Sequence, residues 1–164
     1  MKMKNTVLLL LSFALGQSAF AHSKAFTPEF VDTLVKPYLH IQTALAGDNF
    51  AKSQMEAKAF LVALEHAPTA EDASHTVASL KESTTQIYTA KDVKAARSAF
   101  LALSKELQTL VEHVGTTDNV SLYTAFCPMA FDGKGGSWLQ NSEQVANPYY
   151  GAMMLRCGKA KKLP

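Results

Sequence analysis

Apolar residues recur at helical spacing in four segments between residues 27 and 114. In the first segment the apolar positions lie three or four residues apart, at Val31, Leu34, Tyr38, Ile41 and Leu45. This spacing is typical of the buried face of an α-helix. Thr27 is suited to cap the helix and Pro28 to begin it. Pro37 interrupts the pattern and predicts a kink, or a break into two short helices.

The second and third segments also predict amphipathic helices. The second runs from about Asn49 to Glu65 after an end signal at Gly47-Asp48, in which Asp48 is expected to cap it. One stripe of this helix is predicted to carry Phe50, Gln54, Ala57, Leu61 and Leu64. The third is expected to open with a capping box at Thr69–Asp72. Its buried face is predicted at Val77, Leu80, Thr84 and Ile87.

The fourth segment has the most regular pattern. Asp92 is placed to cap it and Gly115 to end it. Its apolar positions alternate in steps of three and four at Val93, Ala96, Phe100, Leu103, Leu107, Leu110 and Val114. Four amphipathic helices with short connections predict an all-α fold, in which residues 27–114 form an up-down-up-down four-helix bundle.

The character of the chain changes after Gly115. Residues 118–158 are rich in glycine, proline, asparagine and aromatic residues. "FDGKGGSW" and "NPYYG" are typical of turns, and "YYGAMMLRCG" predicts one or two helical turns that end at Gly158. We expect an irregular C-terminal cap on the bundle, with Trp138, Tyr149 and Tyr150 as its core, followed by a solvated basic tail, "KAKKLP".

The N-terminal sequence predicts export. Two lysines, an apolar run from Val7 to Leu15 and Ala19-Phe20-Ala21 are typical of a signal peptide over residues 1–21. The run is too short to be a comfortable membrane span. The expected mature chain, 22–164, is one periplasmic domain with no membrane span. The full chain has 16 basic and 14 acidic residues, and removal of two lysines leaves a neutral chain, which argues against nucleic-acid binding.

Sulfur-containing residues are concentrated in the C-terminal region. Cys127 and Met129 lie in "CPM", while Met153, Met154 and Cys157 lie in "MMLRC". Thiolate and thioether ligands select Cu(I) and similar soft ions. An extended "CPM" would point both of its sulfur side chains the same way, and a helical "MMLRC" would place either methionine beside Cys157. The two pairs would together form a site of two to four sulfur ligands.

Two other interpretations of these residues stay open. In an oxidising compartment Cys127 and Cys157 are candidates for a disulfide. Such a bond would stabilise the fold by ~3–4 kcal/mol on a loop-entropy estimate. The methionines can also simply fill gaps against the aromatic residues. A dithiol that binds an ion when reduced can form a disulfide when empty.

Four stretches of the chain resemble a periplasmic family of undefined function. They are "YLHIQTALAGD", "ARSAFLALS", "LYTAFCPMAFDGKGGSWLQ" and "NPYYGAMMLRCG". The family occurs as small exported proteins and fused to adaptor subunits of heavy-metal efflux pumps of the resistance-nodulation-division type. The resemblance implies copper or silver handling, with Cu(I) or Ag(I) held by Cys127, Met129, Met154 and Cys157, and Met153 as a local alternative. It also implies that efflux-pump components are partners.

One position departs from the family pattern, in which a histidine precedes "CPM". This chain has Phe126 there, so it lacks one ligand if that histidine binds metal elsewhere.

The remaining candidate residues suggest no catalysis. No recognised catalytic motif occurs, and the protein is not predicted to be an enzyme. His22 would begin the mature chain and is a minor candidate for a Cu(II) ligand. His66 and His113 are expected near helix C-termini, and His40 and His75 on exposed helix surfaces.

Overall fold

A computed structural model describes residues 24–117 and 121–164, so the predicted signal peptide and His22 lie outside the described residues. Four long helices come first: α1 (Pro28–Ala46), α2 (Phe50–Leu64), α3 (Ser74–Tyr88) and α4 (Val93–Val114). A small antiparallel sheet follows. In the described part of the chain, no helix has both the length and the apolar character that a membrane crossing requires.

Side-chain caps begin three of the four long helices. Thr27 accepts a hydrogen bond from the Phe30 amide of α1, and Asp92 accepts one from the Ala95 amide of α4, as predicted. The cap of α2 is Asn49 rather than Asp48, because Asp48 has a left-handed backbone (φ 56°) and its carboxylate binds elsewhere.

The predicted capping box at Thr69–Asp72 is wrong. A 3₁₀ turn, Glu71–Ala73, leads directly into α3, and Ala73 at the cap position has no side-chain acceptor. The turn itself satisfies part of the backbone, since the Ala73 amide donates to the Ala70 carbonyl.

Helix α1 does not break at Pro37. It continues from Pro28 to Ala46 with the proline inside it. A proline in a helix interior costs about 3 kcal/mol. Buried residues on both sides of it, Leu34 and Tyr38 among them, offset this cost by holding α1 against the core.

The predicted core stripes of α1 and α4 are largely confirmed. All five apolar positions of α1 and the central five of α4 are fully buried. In α2 the stripe differs, because Phe60 is fully buried while Leu61 is only partly buried. Ala57 and Leu64 are buried as predicted, while Ser53 and Phe60 are buried in place of their neighbours Gln54 and Leu61.

The C-terminal region is a sheet and not an irregular cap. Strands β1 (Tyr123–Cys127), β2 (Gly136–Gln140) and β3 (Lys159–Lys162) lie in the order β2-β1-β3, both pairs antiparallel. The fold is therefore mostly helical rather than all-α. The basic tail, expected as a solvated terminus, supplies β3, although its three lysines remain exposed. Lysines on an edge strand discourage pairing with another chain.

A buried hydroxyl joins the sheet to the helices. The Tyr38 hydroxyl lies 2.8 Å from the Ser104 hydroxyl of α4 and accepts a hydrogen bond from the Leu139 amide of β2 at 3.0 Å. The Tyr38 ring also stacks on Phe100, with ring centroids 5.0 Å apart. Burial raises the pKa of Tyr38, so the hydroxyl stays protonated. One side chain thus connects α1, α4 and β2.

Replacement of Tyr38 by phenylalanine is predicted to destabilise the protein. It leaves the Leu139 amide buried without an acceptor, which costs about 1–3 kcal/mol. Urea unfolding followed by circular dichroism measures the loss. Tyr88→Phe is the matched control, because Tyr88 is 42% exposed and its change should cost under about 0.5 kcal/mol. Equal midpoints for the two variants would contradict the proposed role of the hydroxyl.

Candidate functional site

The structure brings the two cysteines together. Cys127 ends β1, and Cys157 lies two residues before β3, the strand paired with β1. Their sulfur atoms are 2.6 Å apart without a bond between them. A disulfide has a sulfur–sulfur distance of about 2.05 Å. The pair, 30 positions apart in the chain, is therefore placed for direct sulfur–sulfur chemistry, which the sequence had left as one of several possibilities.

The two sulfurs differ in exposure. Cys127 is fully buried in the hydrophobic core, while Cys157 is only partly buried. Gly136 is the β2 partner of Cys127, and a Cβ there would lie 2.7 Å from the Tyr149 ring. The missing side chain at Gly136 leaves room for this ring in the core next to Cys127. The pair therefore has one enclosed member and one that solvent reaches.

Gly158 allows Cys157 to approach β1. Its φ is +132°, and a Cβ there would lie 2.7 Å from the Phe126 carbonyl oxygen. Only glycine fits this combination of backbone conformation and close contact. The "CG" dipeptide is thus explained by the path of the chain into β3.

The methionines lie nearer the surface. Met129 is 56% exposed, Met153 is 77% exposed, and Met154 is partly buried. The extended "CPM" geometry is wrong, because β1 ends at Cys127 and Met129 has helical dihedral angles. In "MMLRC" a 3₁₀ turn, Gly151–Met154, replaces the expected α-helical turn, and the Cys157 amide donates to the Met154 carbonyl at 3.0 Å.

Polar contacts tie the two sulfur-bearing segments to each other. The Tyr150 hydroxyl donates to the Met129 carbonyl at 2.5 Å. The Cys157 pKa is raised by its hydrogen bond with Cys127 and by burial, while a hydrogen bond from the Met129 amide opposes the rise. The Tyr150 pKa is raised by burial and by the nearby cysteines. The Cys157 thiol is thus held mainly in the protonated form, and an ion must displace its proton to bind.

The four histidines in the described part of the chain form no ligand cluster with the cysteine pair. His40, His66, His75 and His113 are all exposed, and His40 bonds to Glu56 at 3.1 Å. Within residues 24–117 and 121–164, no three histidine, cysteine, aspartate or glutamate side chains form a cluster suited to a metal ion. Among the predicted ligands, the two thiols are the groups that the structure brings into direct contact.

Asn147 positions Cys157, a role that the sequence analysis missed. Its side chain donates to the Cys157 carbonyl at 2.9 Å and accepts from the Tyr149 amide at 2.9 Å. Its own amide donates to the Leu155 carbonyl at 2.8 Å. The residue is fully buried. Its place in "NPYYG" was interpreted only as a turn, although an asparagine before proline often bonds to the backbone that follows.

An ion pair from the helices holds the same segment. Arg97 of α4 lies 2.6 Å from Asp48, and its side chain also donates to the Pro148 carbonyl at 2.9 Å. Asp48 accepts a hydrogen bond from the Ala152 amide at 2.8 Å, the main cause of its lowered pKa. Gly151 passes between these groups with φ +60°. We call Asp48, Arg97 and Gly151 the clamp.

Fold and site together define a helical domain with a three-stranded sheet that carries a converged cysteine pair. The chain belongs to the family described as "Protein of unknown function (DUF3347)", whose model matches residues 34–119. The match covers most of α1 and all of α2 to α4, and both cysteines lie beyond it. No curated protein and no solved structure matches the chain.

Gly151→Ala is predicted to loosen the clamp. A Cβ there would lie 2.0 Å from an Asp48 carboxylate oxygen. Left-handed backbone costs an alanine about 1–2 kcal/mol, and overpacking adds about 1–3 kcal/mol. Gly133→Ala is the matched control, because Gly133 has φ +82° with open space around it. Urea unfolding should show a clearly larger loss for Gly151→Ala, and equal losses would contradict the crowding.

Proposed function

We propose that the protein binds Cu(I) or Ag(I) through the reduced thiols of Cys127 and Cys157. The observation that carries this proposal is the convergence of their sulfur atoms to 2.6 Å. Two thiolates are soft ligands of the type that monovalent copper and silver prefer. The hydrophobic surroundings of Cys127 favour a dehydrated soft ion over a strongly hydrated one.

Binding requires the sulfurs to separate. Metal–thiolate bonds of about 2.3 Å place two sulfurs roughly 4–4.6 Å apart around one ion. Cys127 is fixed in β1, so Cys157 is the residue that must move by about 1.5–2 Å on this estimate. Its partial exposure and its position in a turn before β3 support such a movement. Loading an ion and releasing it then involve the same displacement.

Methionine thioethers complete the proposed site. Met129 donates its amide to Cys157, and Met154 accepts from the Cys157 amide, so both residues adjoin the thiol pair through the backbone. Met153 is the more exposed alternative. Thioethers bind more weakly than thiolates, which suits ligand exchange with an acceptor.

We place this activity in the periplasm, where the protein would buffer the ion without catalysis or pass it to an efflux system. The signal-like N-terminus and the resemblance of the C-terminal motifs support this role. We also infer that the four helices run up-down-up-down. The three-residue connection from α1 to α2, Gly47–Asn49, and the packing of each helix against the next support that topology.

The reduced protein is predicted to bind one Cu(I) ion. Anaerobic titration in competition with a chromophoric Cu(I) chelator measures the affinity. The Cys127→Ser/Cys157→Ser variant should lose at least 100-fold, since both thiolates are removed. Met129→Leu and Met154→Leu should each weaken binding about 5- to 30-fold, or about 1–2 kcal/mol.

Met55→Leu is the control for the methionine variants, because Met55 is 62% exposed on α2, away from the cysteines in sequence. Its affinity should equal that of the unchanged protein. Equal binding by the double serine variant would overturn the proposal. Equal binding by Met129→Leu and Met154→Leu would restrict the site to the two thiols.

A second candidate function is a non-catalytic interaction module of the cell envelope with a Cys127–Cys157 disulfide. The close approach of the sulfurs favours it, because a small shift would complete the bond. The bond would join the end of β1 to the residue before Gly158 and so hold β3 in the sheet.

If the protein is an interaction module with a structural disulfide, the purified protein is predicted to contain no free thiol. It is also predicted to bind no Cu(I), even after reduction. Thiol counting with an aromatic disulfide reagent under denaturing conditions tests the first point. Reduction should lower stability by ~3–4 kcal/mol, measured by urea unfolding with and without a reductant. Cys127→Ser/Cys157→Ser is the control that should not respond to the reductant. Two free thiols in freshly purified protein would contradict a permanent disulfide.

A further inference from the structure

The cysteine pair has one sulfur that a second protein can reach. Cys127 is fully buried among core residues that include Trp138 and Tyr149. Cys157 is partly exposed, and the nearby residues Arg156 and Lys159 are exposed. Thiol–disulfide exchange depends on which sulfur an incoming thiolate can approach. The two sulfurs of the pair therefore differ in their accessibility to an incoming thiolate, which determines where exchange occurs.

We propose that Cys157 is an exchange site for a dithiol oxidoreductase, a protein with two active-site cysteines, and that this exchange opens and closes the cysteine pair. A thiolate of the partner attacks the Cys157 sulfur of the Cys127–Cys157 disulfide. The bond to Cys127 breaks, and Cys127 leaves with the electron pair and takes up a proton. Attack at Cys127 is blocked by the surrounding core.

The second step releases the partner. Its other cysteine attacks the partner sulfur of the mixed disulfide, and Cys157 leaves as a thiolate and is protonated. The protein gains two electrons and two protons, and the partner's dithiol becomes a disulfide. The same two steps in reverse oxidise the cysteine pair to a disulfide and reduce the partner's disulfide to a dithiol.

The surface around Cys157 is suited to such a partner. Met129 is 56% exposed and its amide bonds to the Cys157 sulfur. An exposed apolar side chain beside a reactive position favours contact with another protein. The partner would therefore contact Met129 when it attacks the Cys157 sulfur.

This inference deepens the proposed function, because reduction becomes the step that makes the thiols available to an ion in an oxidising compartment. A disulfide leaves no thiolate for the ion and holds the sulfurs closer than a bound ion allows. Chemical reduction bypasses the partner, so metal binding and exchange can fail independently of each other.

The test uses the oxidised protein and a thioredoxin in which the second active-site cysteine is replaced by serine. The mixed disulfide then cannot be resolved and accumulates as a covalent complex. Peptide mass spectrometry identifies the cysteine that carries the thioredoxin. At least tenfold more complex is expected at Cys157 than at Cys127. Comparable amounts at both, a complex at Cys127, or absence of the starting disulfide would overturn the inference.

Single-cysteine variants provide an independent measurement. Cys157 in Cys127→Ser should react with an aromatic disulfide reagent at least tenfold faster than Cys127 in Cys157→Ser. In urea the two rates should become similar, which shows that the difference comes from the fold. Circular dichroism confirms that each variant is folded. Similar rates in the folded variants would contradict the asymmetry.

Discussion

The ion pair between Asp48 and Arg97 joins the helices to the chain segment that carries half of the sulfur site. Ion pairs near the surface contribute little by charge alone. Here the two side chains also form hydrogen bonds with the backbone of Pro148 and Ala152, so they hold the chain segment around residues 148–152 against the helices. These contacts help to direct the chain after β2 back toward the end of β1. The approach of Cys157 to Cys127 depends on this return.

Further contacts within the chain segment after β2 also determine its conformation. Asn147 binds the Cys157 carbonyl, and Gly158 lets the next residues pair with β1. Gln140 is buried and binds the backbone of Ser142, Gln144 and Ala146, which shapes the loop after β2. Each of these residues satisfies backbone groups that an irregular segment would otherwise leave unpaired. The conformation of the segment between β2 and β3 is therefore held mainly by hydrogen bonds from specific side chains to the backbone.

The family match and the candidate site lie in different parts of the fold. The family model covers the helices, while both cysteines and three methionines lie after it. Tyr38 and the clamp connect the two parts through α1 and α4. Family membership therefore describes the scaffold, and the chemistry proposed for the protein rests on the sulfur residues that the scaffold supports.

The sequence by itself determined the four helices, most of their buried faces and the residues with soft-ligand chemistry. Helical periodicity is a local property, repeated over many residues, so α1 and α4 were predictable to within a few positions. The caps at Thr27 and Asp92 were predictable for the same reason. The continuity of α1 across Pro37 was not, because packing against the core outweighs the local preference of proline.

Only the tertiary structure decided that the C-terminal region is a sheet and that its two cysteines meet. The strands have four or five residues each, too few for a clear pattern, and β3 pairs with a strand more than thirty positions earlier. Residues such as Asn147 and Arg97 acquire their roles through partners far away in the chain. Their side-chain chemistry is visible in the sequence, but the partner of each hydrogen bond is fixed only when the chain has folded.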